Sequence, residues 1–282
     1  PYGGYFADSN TSWSKTIANF NASDDWTRVF LKSDRIIPIL YTNLTAVENL
    51  ATQTGNQVPL AIAKIIKVAA MSRVTDAYGP IPYTEIGKDG SITTPYDSQE
   101  KVYDTFFQEL TEAVKVLQAN PEAAVKEENG GVIESNEDNA QWNYFGTTTN
   151  PLYTATRYNA AEGTETGGDT HAAADIICYM NGYNDPRREK YFVQSEWGEG
   201  MEYVGIRRSI ELTTLGNNVR KYSGVNVGQG DPIYWMNAAE VAFLRAEAKL
   251  PSFNFNVGSK TAKEYYEEGV TLSFEQWGAS GV

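Results

Sequence analysis

The sequence predicts a mainly α protein, a tetratricopeptide-like helical-repeat scaffold with a long loop-rich excursion. Three observations carry that expectation. Apolar residues recur at spacings of three and four in residues 59–77 and again in 102–117, which places each set on one helix face. Ala238, Ala242 and Ala246 form a row of small residues at every fourth position, the device by which helix pairs of a solenoid approach closely. Between these blocks the composition changes, with clusters such as FGTTTNPLY and AAEGTETGGDTH separating short apolar pieces. No strict 34-residue period is present, so the repeat reading leans on the alanine row. The chain divides accordingly into residues 1–120, helical after an aromatic opening; 121–231, loop-rich; and 232–282, helical again.

The best punctuated stretch is residues 71–117. A first helix is expected over 59–77, with Ile62, Ile65, Ile66, Ala69 and Val74 as its buried stripe. Gly79, Pro80 and Pro82 then stop it, because glycine takes the left-handed terminating conformation and proline cannot continue a helix. Gly79 is therefore expected at positive φ, with Tyr78 and Tyr83 fixing the turn on either side. Pro95 and Asp97 lead into a second helix carrying Val102, Phe106, Leu110, Val114 and Leu117. A third is expected over 234–249. The predicted core includes Ile62, Ile66, Phe106, Leu110, Phe243 and Leu244, and Trp13, Trp26, Trp235 and Trp277 are expected to pack.

Composition narrows the function classes. With 41% hydrophobic residues in 282, the chain can bury a substantial core. Its net charge of -13 argues against a nucleic-acid partner, whose phosphates it would repel. The single cysteine, Cys178, excludes an intramolecular disulfide and is expected as a small buried apolar residue; no Cys/His metal cluster and no cofactor motif stands in the sequence. No run approaches the roughly 18 apolar residues of a membrane span, so membrane attachment would be by an anchor.

Two blocks carry a family resemblance. The run RVTDAYGPIPY at residues 73–83 is followed by TTPYDSQEKVYDTFFQELTEAVKVL from Thr93, and PIYWMNAAEVAFLRAEAKL at 232–250 is followed by TAKEYYEEGVTLSFEQWG from Thr261. These resemble the SusD/RagB family of Bacteroidetes outer-membrane glycan-binding lipoproteins. The resemblance implies a single tetratricopeptide-like domain, lipid-anchored at the cell surface. It also implies a glycan bound on an outward face, a SusC-like TonB-dependent barrel transporter on the opposite one, and capture without any bond broken. Family members carry a further helical segment before a stretch like the GGVI at residues 130–133, whereas here Asn120 is followed almost at once by Pro121. An incomplete or short member is the expectation.

Sugar rings offer a flat apolar face and an edge of hydroxyls, so aromatic platforms flanked by amides and charged groups suit them. The chain has 18 Tyr, 6 Trp and 11 Phe, several of them in the excursion. The candidate carbohydrate-binding residues are Trp142, Asn143, Tyr144 and Tyr153 near one Asn/Thr-rich loop, and Trp197 and Tyr203 in SEWGEGMEYVG. A loop aromatic more often anchors its loop to the core than it holds a ligand; for Trp142, flanked by Gln141 and Asn143, and Trp197, beside Gly198, the two roles weigh evenly. Arg187 and Arg188 could pair with a carboxylated sugar, but Asp185 followed by Pro186 reads better as a helix start. An enzyme is the weaker reading: 36 acidic residues make carboxylate pairs uninformative, and no nucleophile elbow, zinc motif or phosphate loop is present. The lone His171 is expected in an exposed first turn, capped by Asp169 or Thr170. A helical scaffold that binds peptide or protein is the competing class.

Overall fold

The computed structural model describes residues 4–9, 36–86, 93–120, 133–145, 147–158, 163, 168–208 and 210–281. Trp13 and Trp26 lie outside the described residues. The chain forms two compact units, Ser23–Gly130 and Pro1–Ala22 with Gly131–Val282.

In the first unit, strand-free among its described elements, α1 (Ile36–Thr54), α2 (Val58–Tyr78) and α3 (Gln99–Gln118) pack in sequence order. Gly55 ends α1 at φ 72°, and Pro59 sits in the first turn of α2, where its missing N–H costs nothing. α2 matches its expected bounds to within a residue at each end. Gly79 terminates it at φ 72° and ψ -121°, donating its N–H to the Thr75 carbonyl at 2.7 Å. Ser98 caps α3, accepting from the Lys101 N–H at 3.3 Å. The core gathers Val68, Met71 and Val74 from α2, Ile81 and Tyr83 from the turn, and Val102 and Phe106 from α3. Tyr83 meets Phe106 edge-on, with ring centroids 4.9 Å apart.

Two parts of the predicted stripe fail. Ile62 and Ile66 are 45% and 49% exposed, whereas Ala61, Lys67, Met71 and Thr75 are buried. α2 is apolar nearly all round, so periodicity could not fix its inward face. The face actually chosen includes Lys67, because its ammonium reaches the Glu109 carboxylate of α3 at 2.5 Å. Tyr83 donates to the other oxygen of Glu109 at 2.5 Å, and Lys67 lies over the Tyr83 ring at 4.6 Å. Phe106 is buried as expected and Leu110 half-buried, but Val114 is exposed.

In the second unit, β1 (Phe6–Asp8) pairs antiparallel with β3 (Thr170–Ala172), and β2 (Ala140–Trp142) pairs antiparallel with β4 (Ile233–Met236). β3 leads into α4 (Ala174–Gly182), and the single turn α5 (Arg188–Tyr191) follows. α6 (Ala238–Ala248) and α7 (Ala262–Gln276) close the unit as a helix pair. Asn237 caps α6 by accepting the Glu240 N–H at 2.8 Å, and Thr261 with Glu264 forms a capping box on α7. The alanine row is buried as its spacing implies, and Gly269 of α7 approaches the Phe243 ring so closely that a Cβ there would stand 2.8 Å from it.

Several expectations are corrected here. The third helix begins at Ala238 rather than 234, because residues 233–236 are drawn into a strand by pairing with β2. That strand leaves Trp235 58% exposed rather than packed, and Leu244 is 51% exposed while Phe243 is half-buried. His171 lies in β3 at 3% exposure, not in a helical first turn; α4 starts only at Ala174. Cys178 is exposed on α4. Trp277 does pack, edge-on against Tyr191 at 4.9 Å. Asp185 accepts the Arg187 N–H at 2.9 Å and Pro186 precedes α5 by two residues.

Candidate carbohydrate site

β2 and β4 form a short ribbon with an irregularity between Ala140 and Gln141, so that Ala140 faces Met236, Gln141 faces Tyr234 and Trp142 faces Ile233. The extra residue on β4 is Trp235. Both Trp235 and Trp142, the latter 69% exposed, offer indole to solvent. Asn143 is exposed, its Oδ1 accepting from Gln141 at 3.0 Å, and Tyr144 is half-buried. The ribbon continues into a second tie: Asn150, fully buried, donates its side-chain amide to the Asp231 carbonyl at 2.8 Å.

β4 also walls a cleft of about 780 Å³. That volume lies in the range of small-molecule sites. Tyr5, Phe6, Tyr191, Tyr234 and Trp277 give it an aromatic lining. Its amides are largely committed to the fold: Asn237 caps α6, and Asn226 donates to the Lys190 carbonyl at 3.2 Å. Among the described residues, Asp231 is the single carboxylate on its walls, and it accepts the Gly228 N–H at 2.6 Å. The cleft thus presents mostly stacking surface.

The other sequence candidates fall elsewhere. Trp197 and Tyr203 share one loop, closed by the Ser195 N–H donating to the Glu202 carbonyl at 2.7 Å. Trp197 is half-buried, edge-on to Tyr222 at 5.6 Å and beneath Lys221 at 5.3 Å, with its Nε1 buried and unpartnered. The Arg188 guanidinium covers Tyr203 at 4.4 Å, and burial raises that phenol's pKa. Tyr153 is buried and stacked on Tyr158, with centroids 5.6 Å apart. Its ring face is used in packing. None of the six lines the cleft, although Trp142 pairs with Ile233 and Tyr153 donates its N–H to the Asn150 carbonyl at 3.1 Å, and both partners do. Arg187 is engaged by Asp185 at 2.5 Å. Sequence reasoning missed the cleft because its aromatics lie far apart along the chain, and missed Trp235 because its segment read as helix.

The profile of the SusD-like family, described as Susd and RagB outer membrane lipoproteins, matches residues 1–123 and 118–282. The chain belongs to the SusD-like family. A SusD homologue from Bacteroides uniformis is 52% identical, with a TM-score of 0.89, all of this chain covered and 66% of that one. A SusD homologue from Bacteroides thetaiotaomicron is 33% identical, with a TM-score of 0.80, 99% of this chain covered and 64% of that one. A chitin-binding SusD homologue from Flavobacterium johnsoniae is 28% identical, with a TM-score of 0.79, 99% of this chain covered and 65% of that one. The chain therefore spans just under two-thirds of the length of these SusD-like structures. A search of curated proteins found no match. Family membership confirms the mainly α, tetratricopeptide-like fold and the class of outer-membrane lipoprotein. Among the described residues, no helix is long and apolar enough to cross a membrane.

Proposed function

We propose that the chain captures glycan at the outer membrane, breaks no bond in it, and delivers it to a SusC-like TonB-dependent transporter. One observation carries the glycan reading: a ribbon with two solvent-facing indoles, Trp142 and Trp235, borders an aromatic cleft. An exposed indole beside exposed Asn143 pairs a stacking face with a hydrogen-bonding edge, as a pyranose requires. Tyr144 follows Asn143 on the same candidate surface, whereas Trp197 and Tyr203 are candidates on a separate loop and Tyr153 is a buried candidate stacked on Tyr158. Capture without catalysis and the transporter both rest on family membership.

The test is titration calorimetry against a glycan panel that starts from chito-oligosaccharides, the polymer class named for the Flavobacterium relative. Trp142→Ala and Trp235→Ala are each expected to weaken binding by about 1–3 kcal/mol while the circular dichroism spectrum is kept. Unchanged affinity in both folded variants overturns the ribbon as the platform. Detergent pull-downs test the transporter, with recovery of the protein alone counting against it.

A further inference from the structure

The aromatic cleft beside the ribbon is built from one unit alone, and its polar groups are spent on the fold. Asn150, wholly buried, donates to the Asp231 carbonyl at 2.8 Å and accepts the Leu152 N–H at 2.7 Å. Asn226 donates to the Lys190 carbonyl at 3.2 Å and accepts from Arg157 at 3.3 Å. The Asp231 carboxylate takes the Gly228 N–H at 2.6 Å, and the Asn237 side chain takes the Glu240 N–H at 2.8 Å. A sugar ring seated here would bring several hydroxyls against amides that are already engaged, and each one buried without a partner forfeits the water it had.

The walls that remain are rings. Tyr191 stands edge-on to Trp277, with centroids 4.9 Å apart at 84°, and edge-on to Phe192 at 6.3 Å and 87°. All three line the cleft, and Tyr5 and Tyr234 add two further aromatic walls. Alternation of edge and face is the packing that aromatic pairs prefer, so three rings in that arrangement at the wall of a cleft leave an edge or a face for a fourth. A space of about 780 Å³ admits such a ring together with the linker that carries it.

The cleft continues into the ribbon. Trp142 faces Ile233 across the β2–β4 pair, and Ile233 is part of the cleft wall. Directly opposed residues of an antiparallel pair project from the same face, about 5 Å apart at Cβ, which sets the exposed indole beside the cleft. A ligand that spans both places needs a hydroxylated part for Trp142 and Asn143 and a flat apolar part for the cleft. We propose that the cargo is a glycan bearing an aryl substituent, with a sugar ring on Trp142 and the aryl group in the cleft. The inference rests on the glycan reading for the sugar alone; the aryl group is read from the walls of the cleft.

The intact chain is titrated, with NMR as the readout, against the methyl, hexyl and 4-methylumbelliferyl β-glycosides of glucose, galactose and N-acetylglucosamine. At least one 4-methylumbelliferyl glycoside is expected to bind about tenfold or more tighter than both the methyl and the hexyl glycoside of the same sugar. Leu152 lies on the cleft wall at 49% exposure, so a polar side chain there is compatible with the fold. Leu152→Asn is expected to cut the aryl-to-methyl ratio about threefold or more, with Tyr5→Ser, at 57% exposure, as the second variant should the first lose its circular dichroism spectrum. Equal affinity for methyl and aryl glycosides overturns the proposal, as does an absence of binding by every aryl glycoside. An equal gain from the hexyl chain also overturns it, because the cleft would then be a general apolar site. Methyl glycosides that bind through Trp142 with no aryl gain sink this inference and leave capture standing. An aryl gain that persists unchanged in Trp142→Ala and Trp235→Ala supports the aryl site and overturns the ribbon as its sugar platform.

Discussion

Tyr83 lies just beyond the end of α2 and Trp142 is the last residue of β2, yet the fold treats these two aromatics in opposite ways. Tyr83 is buried against Phe106, with its hydroxyl on Glu109 and its N–H on Asp97. Trp142 stands open to solvent at the end of β2, and Trp235 does the same on β4. In the turn, Tyr83, Thr84 and Asp97 are spent on holding α2 to α3. In the ribbon, large apolar surface is left uncovered at a cost in solvation that the fold gains nothing from. Regions of the first kind carry stability; regions of the second kind are available for recognition.

Substitutions separate the two regions. The largest expected effect is in the turn unit: Glu109→Ala strands the buried Lys67 ammonium and the Tyr83 hydroxyl, and should lower unfolding free energy by about 3–5 kcal/mol in urea titration. Replacing Lys67 and Glu109 together by Met and Leu should recover most of that loss, since the apolar pair leaves no charge behind. A double variant as unstable as the single one would break the argument.

Asp97 comes next. Desolvation works against its charge, but hydrogen bonds from Lys101 at 2.5 Å and from Thr84 N–H at 2.7 Å outweigh it and hold its pKa down to about 2. A carboxylate depressed on folding stabilises above its unfolded value near 4 and loses that contribution as pH falls through 2. The stability of the wild-type chain should therefore fall by about 2 kcal/mol more than that of Asp97→Asn between pH 4 and pH 2, read from denaturant midpoints. Parallel curves would show that the carboxylate's bonds contribute nothing.

Gly79→Val follows at about 1–2 kcal/mol. Open space surrounds the position, so the penalty is one of backbone conformation alone at φ 72°. A melting temperature unchanged by the substitution would show that the turn relaxes freely. The smallest effect belongs to the ribbon, where Trp142→Ala should change unfolding free energy by less than about 0.5 kcal/mol even as it weakens glycan binding. A large destabilisation would recast the exposed indole as a structural anchor.

Much of the turn unit was legible in the sequence. The bounds of α2, its glycine stop, the entry to α3 and the burial of Phe106 all follow from signals within a few residues of one another. The inward face of α2 was not, because a lysine normally marks solvent and only the distant Glu109 makes Lys67 a core residue. The same limit applies to the second unit. Residues 233–236 become a strand through Ala140–Trp142, almost a hundred positions away, and His171 is buried because β3 lies between β1 and a bridge to Gly224. The aromatic cleft draws on Tyr5, Tyr191, Tyr234 and Trp277, which no local pattern groups together. Family resemblance, carried by contiguous blocks, reached the fold; the candidate site depends on long-range pairing that spacing does not encode.

The approach of Gly269 to Phe243 ties two positions on different helices into one unit of inheritance. With 2.8 Å between a hypothetical Cβ and the ring, even alanine at 269 requires the Phe243 ring to shift, so the sizes tolerated at 269 and at 243 are set jointly rather than one position at a time.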